Sequence, residues 1–231
     1  MSRFKALGAV ATTVVVAGCT YNVQTLSAPQ LNVYSNYTNR VPSRWALVVD
    51  PQSLSTVAKS SSVQCIAHNF PLDLRGTFRS SVSATFENVV QELEVLDRPI
   101  PVEALSQQGY AGLIQVRAET MRTRLNFVPG FFSVAVDATV DLDVGLVVDG
   151  REGRILGTRA SGTGSFNGDA GSACVGGADV LGRASEEAIR AVLGQIAERF
   201  ANAPRIREVN ATAAAIQRTT ANETASIQSA P

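Results

Sequence analysis

The longest regular pattern in the chain runs over residues 133–146. There Val134, Val136, Ala138, Val140, Leu142, Val144 and Leu146 alternate with Ser133, Ala135, Asp137, Thr139, Asp141, Asp143 and Gly145. A two-residue period sustained this far predicts one long strand with a single buried face. Val128-Pro129-Gly130 precedes it and Asp149-Gly150-Arg151-Glu152-Gly153 follows, both turn-forming sequences. The strand is therefore expected to pair with residues 113–127 and 154–166 in an antiparallel meander. Pairing Phe127 with Phe131 sets Ile114, Val116 and Ala118 opposite Val144, Leu142 and Val140, with Arg117 opposite Asp141 on the wet face. A slip by one residue would bury Gln115 or Arg117 against Leu142. In the second hairpin, pairing Val148 with Arg154 aligns Leu146 with Leu156 and Asp143 with Arg159.

The remaining elements are shorter. Residues 44–50 (Arg-Trp-Ala-Leu-Val-Val-Asp) read as a strand stopped by Pro51, residues 51–62 are Ser-rich and ambiguous, and residues 63–69 suggest a strand ended by Pro71. Phe78, Val82, Phe86, Val89 and Leu93 recur at helical spacing and predict a helix over 74–93. Residues 94–96 fit a brief strand before the Pro99–Pro101 break. After a glycine-rich loop over 168–177, Leu181, Ala188, Val192, Ile196 and Phe200 form the stripe of a long helix over 178–200. The two apolar helix faces can both cover the sheet. The expected class is α+β, a mainly antiparallel sheet built on the three-strand meander of 113–166 with two helices packed on one face.

Composition narrows the functional classes. The chain has 231 residues, 45% hydrophobic and 17% charged, which fits a globular body and excludes wholesale disorder. Twenty basic residues balance 20 acidic ones. That balance argues against nucleic acid as a partner, since such a protein needs a basic face. A single histidine, His68, excludes any site built on several imidazoles.

The N-terminus carries an address. Arg3 and Lys5 precede an apolar run from Ala6 to Val16, which is too short to cross the roughly 30 Å of a bilayer core but suits a signal peptide. The run closes on Val16-Ala17-Gly18-Cys19. These residues resemble the signal of bacterial lipoproteins, whose lipobox ends in a cysteine. The resemblance implies a thioether-linked diacylglycerol on Cys19, cleavage before it, and acylation of the new amine. An ordinary secretory signal with a chance cysteine is the alternative. Thr20 stands where this lipoprotein class carries aspartate for inner-membrane retention, so the resemblance implies the outer membrane, periplasmic face. Cleavage leaves 18 basic against 20 acidic residues, a net charge of −2.

The expected organisation is a signal over 1–18, a polar tether over 19–42, one periplasmic α+β domain over 43–201 and a flexible tail over 202–231. The tail repeats Ala, Thr, Asn, Gln and Ser and buries too little apolar surface to offset its ordering entropy. The order strand, helix, three-strand meander, helix also resembles YajG-like and curli-secretion-type periplasmic lipoprotein domains. That resemblance implies roles in assembly or envelope maintenance and no catalysis.

Candidate chemistry is sparse. Cys65 and Cys174 are an even pair in an exported chain and suggest a disulfide, with two separate buried thiols as the alternative. A Cys65–His68 catalytic pair lacks a third, orienting group. Asp137, Asp141 and Asp143 could be read as calcium ligands, but a flat strand spaces them about 7 Å apart or more and cannot wrap a cation. A solvated face paired with arginines suits them better. Gly162 and Gly164 lack the pattern of a phosphate loop and fit close helix packing instead. No cofactor or metal is expected. Phe127, Val128, Phe131 and Phe132 crowd apolar groups at a hairpin tip, which either meets a membrane or partner or folds back under the body.

These features point to a non-enzymatic, lipid-anchored accessory or assembly component of a cell-envelope complex, held to the bilayer through Cys19 and working with an envelope protein partner. The alternative is a periplasmic binding module for a small or lipidic ligand seated between sheet and helices. A hydrolase ranks last.

Overall fold

A computed structural model describes residues 40–208, apart from residues 132, 172 and 173. The signal peptide, Cys19, all but the last residues of the tether, Phe132 and residues 209–231 lie outside the described residues.

The α+β class is observed. A five-stranded sheet has the order β4-β1-β5-β6-β7, formed by β1 (Val41–Asp50), β4 (Val90–Leu96), β5 (Gly112–Pro129), β6 (Val134–Gly150) and β7 (Gly153–Asp169). A separate ribbon pairs β2 (Ser55–Lys59) with β3 (Asn69–Asp73). The helices are α1 (Arg75–Val89), α2 (Val102–Gln107) and α3 (Gly176–Asn202). The β5–β6–β7 meander is antiparallel, whereas β1 runs parallel to both β4 and β5.

The central place of β1 explains its unbroken apolar run. Trp45, Leu47 and Val49 face the main core, while Ala46 and Val48 face a second cluster with Leu105, Tyr110 and Leu113. A strand covered on both sides carries no alternation. Helices α1 and α3 close the main face, and the short α2 covers one end of the other. Phe200 of α3 meets Trp45 and Phe86 edge-on at 5.4 and 5.3 Å between ring centroids, which ties sheet and both helices together.

Several expected boundaries move. The helix stops at Val89, and Val90 turns to extended backbone (φ −108°, ψ 157°), so residues 90–93 join β4. Pairing along β1, from Val41 opposite Val90 to Val48 opposite Leu96, outweighs one more helical turn. The strand expected over 63–69 is instead a turn region, and β3 spans Asn69–Asp73 with Pro71 inside it. A two-stranded ribbon has an open edge that accepts the missing N–H of proline. The ambiguous residues 51–62 contain β2. The body also extends past 201, because Ala203 and Ile206 are buried in the main core.

The register differs as well. Phe127 pairs with Val136, not Phe131, and Val116 with Leu146, not Leu142. A bulge between Ala118 and Thr120 makes Glu119 the extra residue. Before it the even-numbered Ile114, Val116 and Ala118 face the core; after it the odd-numbered Leu125 and Phe127 do. One inserted residue thus brings both groups to one face. Arg117 lies opposite Gly145 and pairs with Asp50 at 3.5 Å instead of Asp141. In the second hairpin Leu146 faces Thr158, Asp143 faces Ser161, and Arg159 reaches Glu119 at 3.0 Å.

Helix α3 lies directly on β7. A Cβ added at Gly162 would stand 2.5 Å from the Ala188 oxygen, and one at Gly164 2.5 Å from the Ala188 nitrogen. These glycines allow close helix packing, as expected. Side chains of α3 and of the short helical segment over residues 204–208 also reach the outward edge of β7. Gln195 donates to the Ser161 carbonyl at 2.8 Å, Arg199 to that of Arg159 and Arg205 to that of Arg154, while Glu187 accepts from the Ser165 N–H. An edge occupied in this way offers few groups to a foreign strand.

Candidate functional site

Three segments converge at the pole of the sheet where β5 turns into β6. The turn itself closes with the Gly130 N–H donating to the Ser133 carbonyl at 2.7 Å. Residues 60–68 are fastened beside it. The Ser61 N–H donates to the Leu125 carbonyl at 2.8 Å, and the Phe127 N–H donates to the Ser62 hydroxyl at 3.2 Å. The segment leading into α3 joins through the Ala170 N–H, which donates to the Val134 carbonyl at 2.7 Å.

A disulfide between Cys65 and Cys174 closes this assembly, with Cα atoms 6.0 Å apart across 109 positions of sequence. Both cysteines have left-handed backbone, φ 60° and 64°. Non-glycine residues hold that conformation where their surroundings impose it. The disulfide also consumes the Cys65 thiol, which removes any Cys65–His68 nucleophile.

The exposed apolar side chains concentrate here. Phe131 is 92% exposed, Val63 82%, Ile66 66%, Val175 49% and Val128 45%. Phe127 is different: it is interior at 1% exposure, stacked on Phe70 at 5.7 Å, and its ring edge would meet a Cβ on Gly177. It belongs to the core and cannot touch a membrane or partner, because the bulge at Glu119 turns it inward. Sequence periodicity missed Val63, Ile66 and Val175. The signal that could have found them is the lack of charge on either side of both cysteines.

The other candidates resolve into structural roles. Asp143 accepts from Thr120 at 2.6 Å and Ser161 at 2.6 Å, and Asp141 accepts from Thr163 at 2.7 Å. The Ser161 and Thr120 hydroxyls hold the Asp143 carboxyl below its ordinary value. These aspartates form a ladder with neighbouring hydroxyls on the wet face. Across the sheet, Glu94 accepts from the Tyr110 hydroxyl at 2.7 Å and pairs with Arg44, whose guanidinium stands 4.8 Å over the Tyr110 ring. The layer between sheet and helices is filled by Trp45, Phe78, Phe86 and Phe200, each fully buried. A ligand groove there is closed by these rings.

No family model and no curated protein matches the sequence. Among solved structures the chain is similar to a neuraminyllactose-binding hemagglutinin homolog from Helicobacter pylori, at 8% identity and TM-score 0.45, over 82% of this chain and 99% of that one. It is also similar to a Xanthomonas campestris protein described as DUF330, at 9% identity and TM-score 0.38, over 79% and 92% of the two chains. A minor lipoprotein from Acinetobacter baumannii follows at 10% identity and TM-score 0.35, over 68% and 90%. At these scores the likenesses transfer no role. No helix among the described residues is long and apolar enough to cross a membrane.

Proposed function

We propose that this protein is a lipid-anchored envelope lipoprotein, non-enzymatic, acting as an accessory or assembly component on the periplasmic face of the outer membrane. The observation that carries the reading is the order of features in the first 19 residues: Arg3 and Lys5, an apolar run, small Ala17 and Gly18, then Cys19. Each meets one requirement of export and thiol acylation. The Cys65–Cys174 disulfide fits an oxidising compartment outside the cytoplasm. Several acyl chains on one residue make a stable anchor, where a single chain gives only reversible binding.

Mass spectrometry of the protein from envelopes tests this directly. The expected mature N-terminus is an acylated Cys19; an unprocessed start or a terminus without acyl groups overturns it. Separation of inner and outer membranes then reports the compartment. Isolation in mild detergent tests the partner, with one envelope protein expected at fixed stoichiometry.

A further inference from the structure

The converging segments are free of charge. The chain is 17% charged, yet residues 60–68, 125–136 and 170–178 contain no Asp, Glu, Lys or Arg. From these segments project Phe131, Val63, Ile66, Val175 and Val128. Each of the five is at least 45% exposed. We infer that this disulfide-braced pole is a membrane-contact surface, which seats its apolar side chains in the interfacial layer of a lipid bilayer.

Three observations favour a bilayer over a protein groove. A protein interface of useful size carries hydrogen-bonding and charged groups around an apolar centre, whereas here the segments supply hydroxyls, amides, the His68 imidazole and backbone, with no carboxylate, ammonium or guanidinium. Val63 and Phe131 are 82% and 92% exposed, which suits a soft apolar layer that needs no preformed groove. Their insertion depth is limited to the interfacial 5–10 Å or so, where backbone groups of the turns still meet water and headgroups. Finally, the disulfide joins residues 60–68 to 170–178 and hydrogen bonds fasten both to the β5–β6 hairpin, so binding orders little that was free.

The chain outside the described residues permits the contact. β1 begins at Val41, and Trp45 lies level with Gly112, the first residue of β5. The apolar pole is at the far end of β5, so tether and pole leave opposite ends of the sheet. Fully extended, residues 20–39 span at most about 70 Å. β1 starts four residues before the level of Trp45, so Val41 stands about 22 residues of strand, roughly 73 Å, from the pole. An acylated Cys19 reaches the leaflet at this pole only with the tether close to full extension. The contact itself does not depend on acylation.

The test uses the mature chain, residues 19–231, carrying Cys19→Ser so that no acyl group contributes. It is mixed with vesicles of phosphatidylethanolamine and phosphatidylglycerol, 3:1, and floated in a density gradient. The expected result is co-flotation of the oxidised chain. Phe131→Asp combined with Ile66→Asp should lower the bound fraction at least tenfold, while Val95→Asp, at an exposed apolar residue on β4, should leave it unchanged. Near-UV circular dichroism checks that each variant is folded; these positions are exposed, so folding should persist. Absence of flotation, or equal flotation of the doubly substituted chain, overturns the inference. So does retention of the wild-type chain by a purified envelope protein, sensitive to Phe131→Asp, without any vesicle binding. Because acylation is removed at the outset, failure here leaves the anchor untouched, and an unacylated Cys19 in cells leaves this result untouched.

Discussion

Gly164 of β7 lies directly beneath the Ala184 carbonyl of α3, so close that a Cβ would enter the oxygen and stand 2.5 Å from the Ala188 nitrogen. Backbone on both sides of the contact leaves nothing flexible to yield. Gly164→Ala is expected to destabilise the fold by about 3 kcal/mol, the upper end for overpacking. Gly157→Ala is the control: its nearest neighbour is the Arg154 side chain at 3.7 Å, and its cost should stay within about 0.5 kcal/mol. Urea unfolding of both variants reads the difference.

Removing the disulfide should cost about 4–5 kcal/mol in the chain-entropy account for a loop of this length. Cys65→Ser with Cys174→Ser, followed by denaturant titration, measures it. Wild-type protein under reductant should match the double variant, and protease should then cut first near residues 60–68.

The bulge predicts an asymmetric pair of results. Deleting Glu119 removes the extra residue and forces either Ile114 and Val116 or Leu125 and Phe127 to the wet face. Turning out two such side chains costs about 3–6 kcal/mol, and cooperative thermal unfolding should be lost. Glu119→Ala keeps the backbone and forfeits only the half-exposed pair with Arg159, worth about 0–1 kcal/mol.

Tyr110 should ionise late. Its hydroxyl donates to Glu94, which raises its pKa above the ordinary 10.0, with burial adding to the effect. The neutral tyrosine is the form the fold favours, so this contribution is present below pH 10 and is lost as pH rises through the raised value. Glu94 mirrors it. Held down by the Tyr110 hydroxyl and then Arg44, its contribution is present above the ordinary 4.5 and lost as pH falls. Ultraviolet titration should show a late step for Tyr110 that moves back toward the ordinary value in Glu94→Gln.

The edge of β7 supplies a further test. Arg199→Ala with Gln195→Ala frees the carbonyls of Arg159 and Ser161. Light scattering should then show concentration-dependent association that the wild type lacks.

Much of this architecture was legible in the residues, and the parts that were not share a physical cause. The meander announced itself because Val134 to Leu146 keep one period over many residues, and α3 because its stripe recurs without interruption. The helix over 74–93 was overextended because Leu93 continues the spacing of Phe86 and Val89, although Val90 onward pairs with β1. Parallel pairing leaves no turn between partners to read. The bulge at Glu119 is a single inserted residue, invisible to any period, yet it decided the fate of Phe127, while the register itself shifted because the turn lies over residues 130–133 and not around Pro129. At the apolar pole, Phe131 and Val128 were foreseeable from crowding at a turn. Val63, Ile66 and Val175 were not, because a disulfide brings them there from distant sequence.

The position of β1 has a consequence for how the protein is born. Its Leu47-Val48-Val49 segment leaves the ribosome among the first of the body, but its hydrogen-bonding neighbours β4 and β5 arrive only with residues 90–96 and 112–117. Until then a strand apolar on both faces has nothing to lie between. Contacts this distant along the chain slow folding, so β1 stays uncovered on both faces until the residues up to 117 are in place.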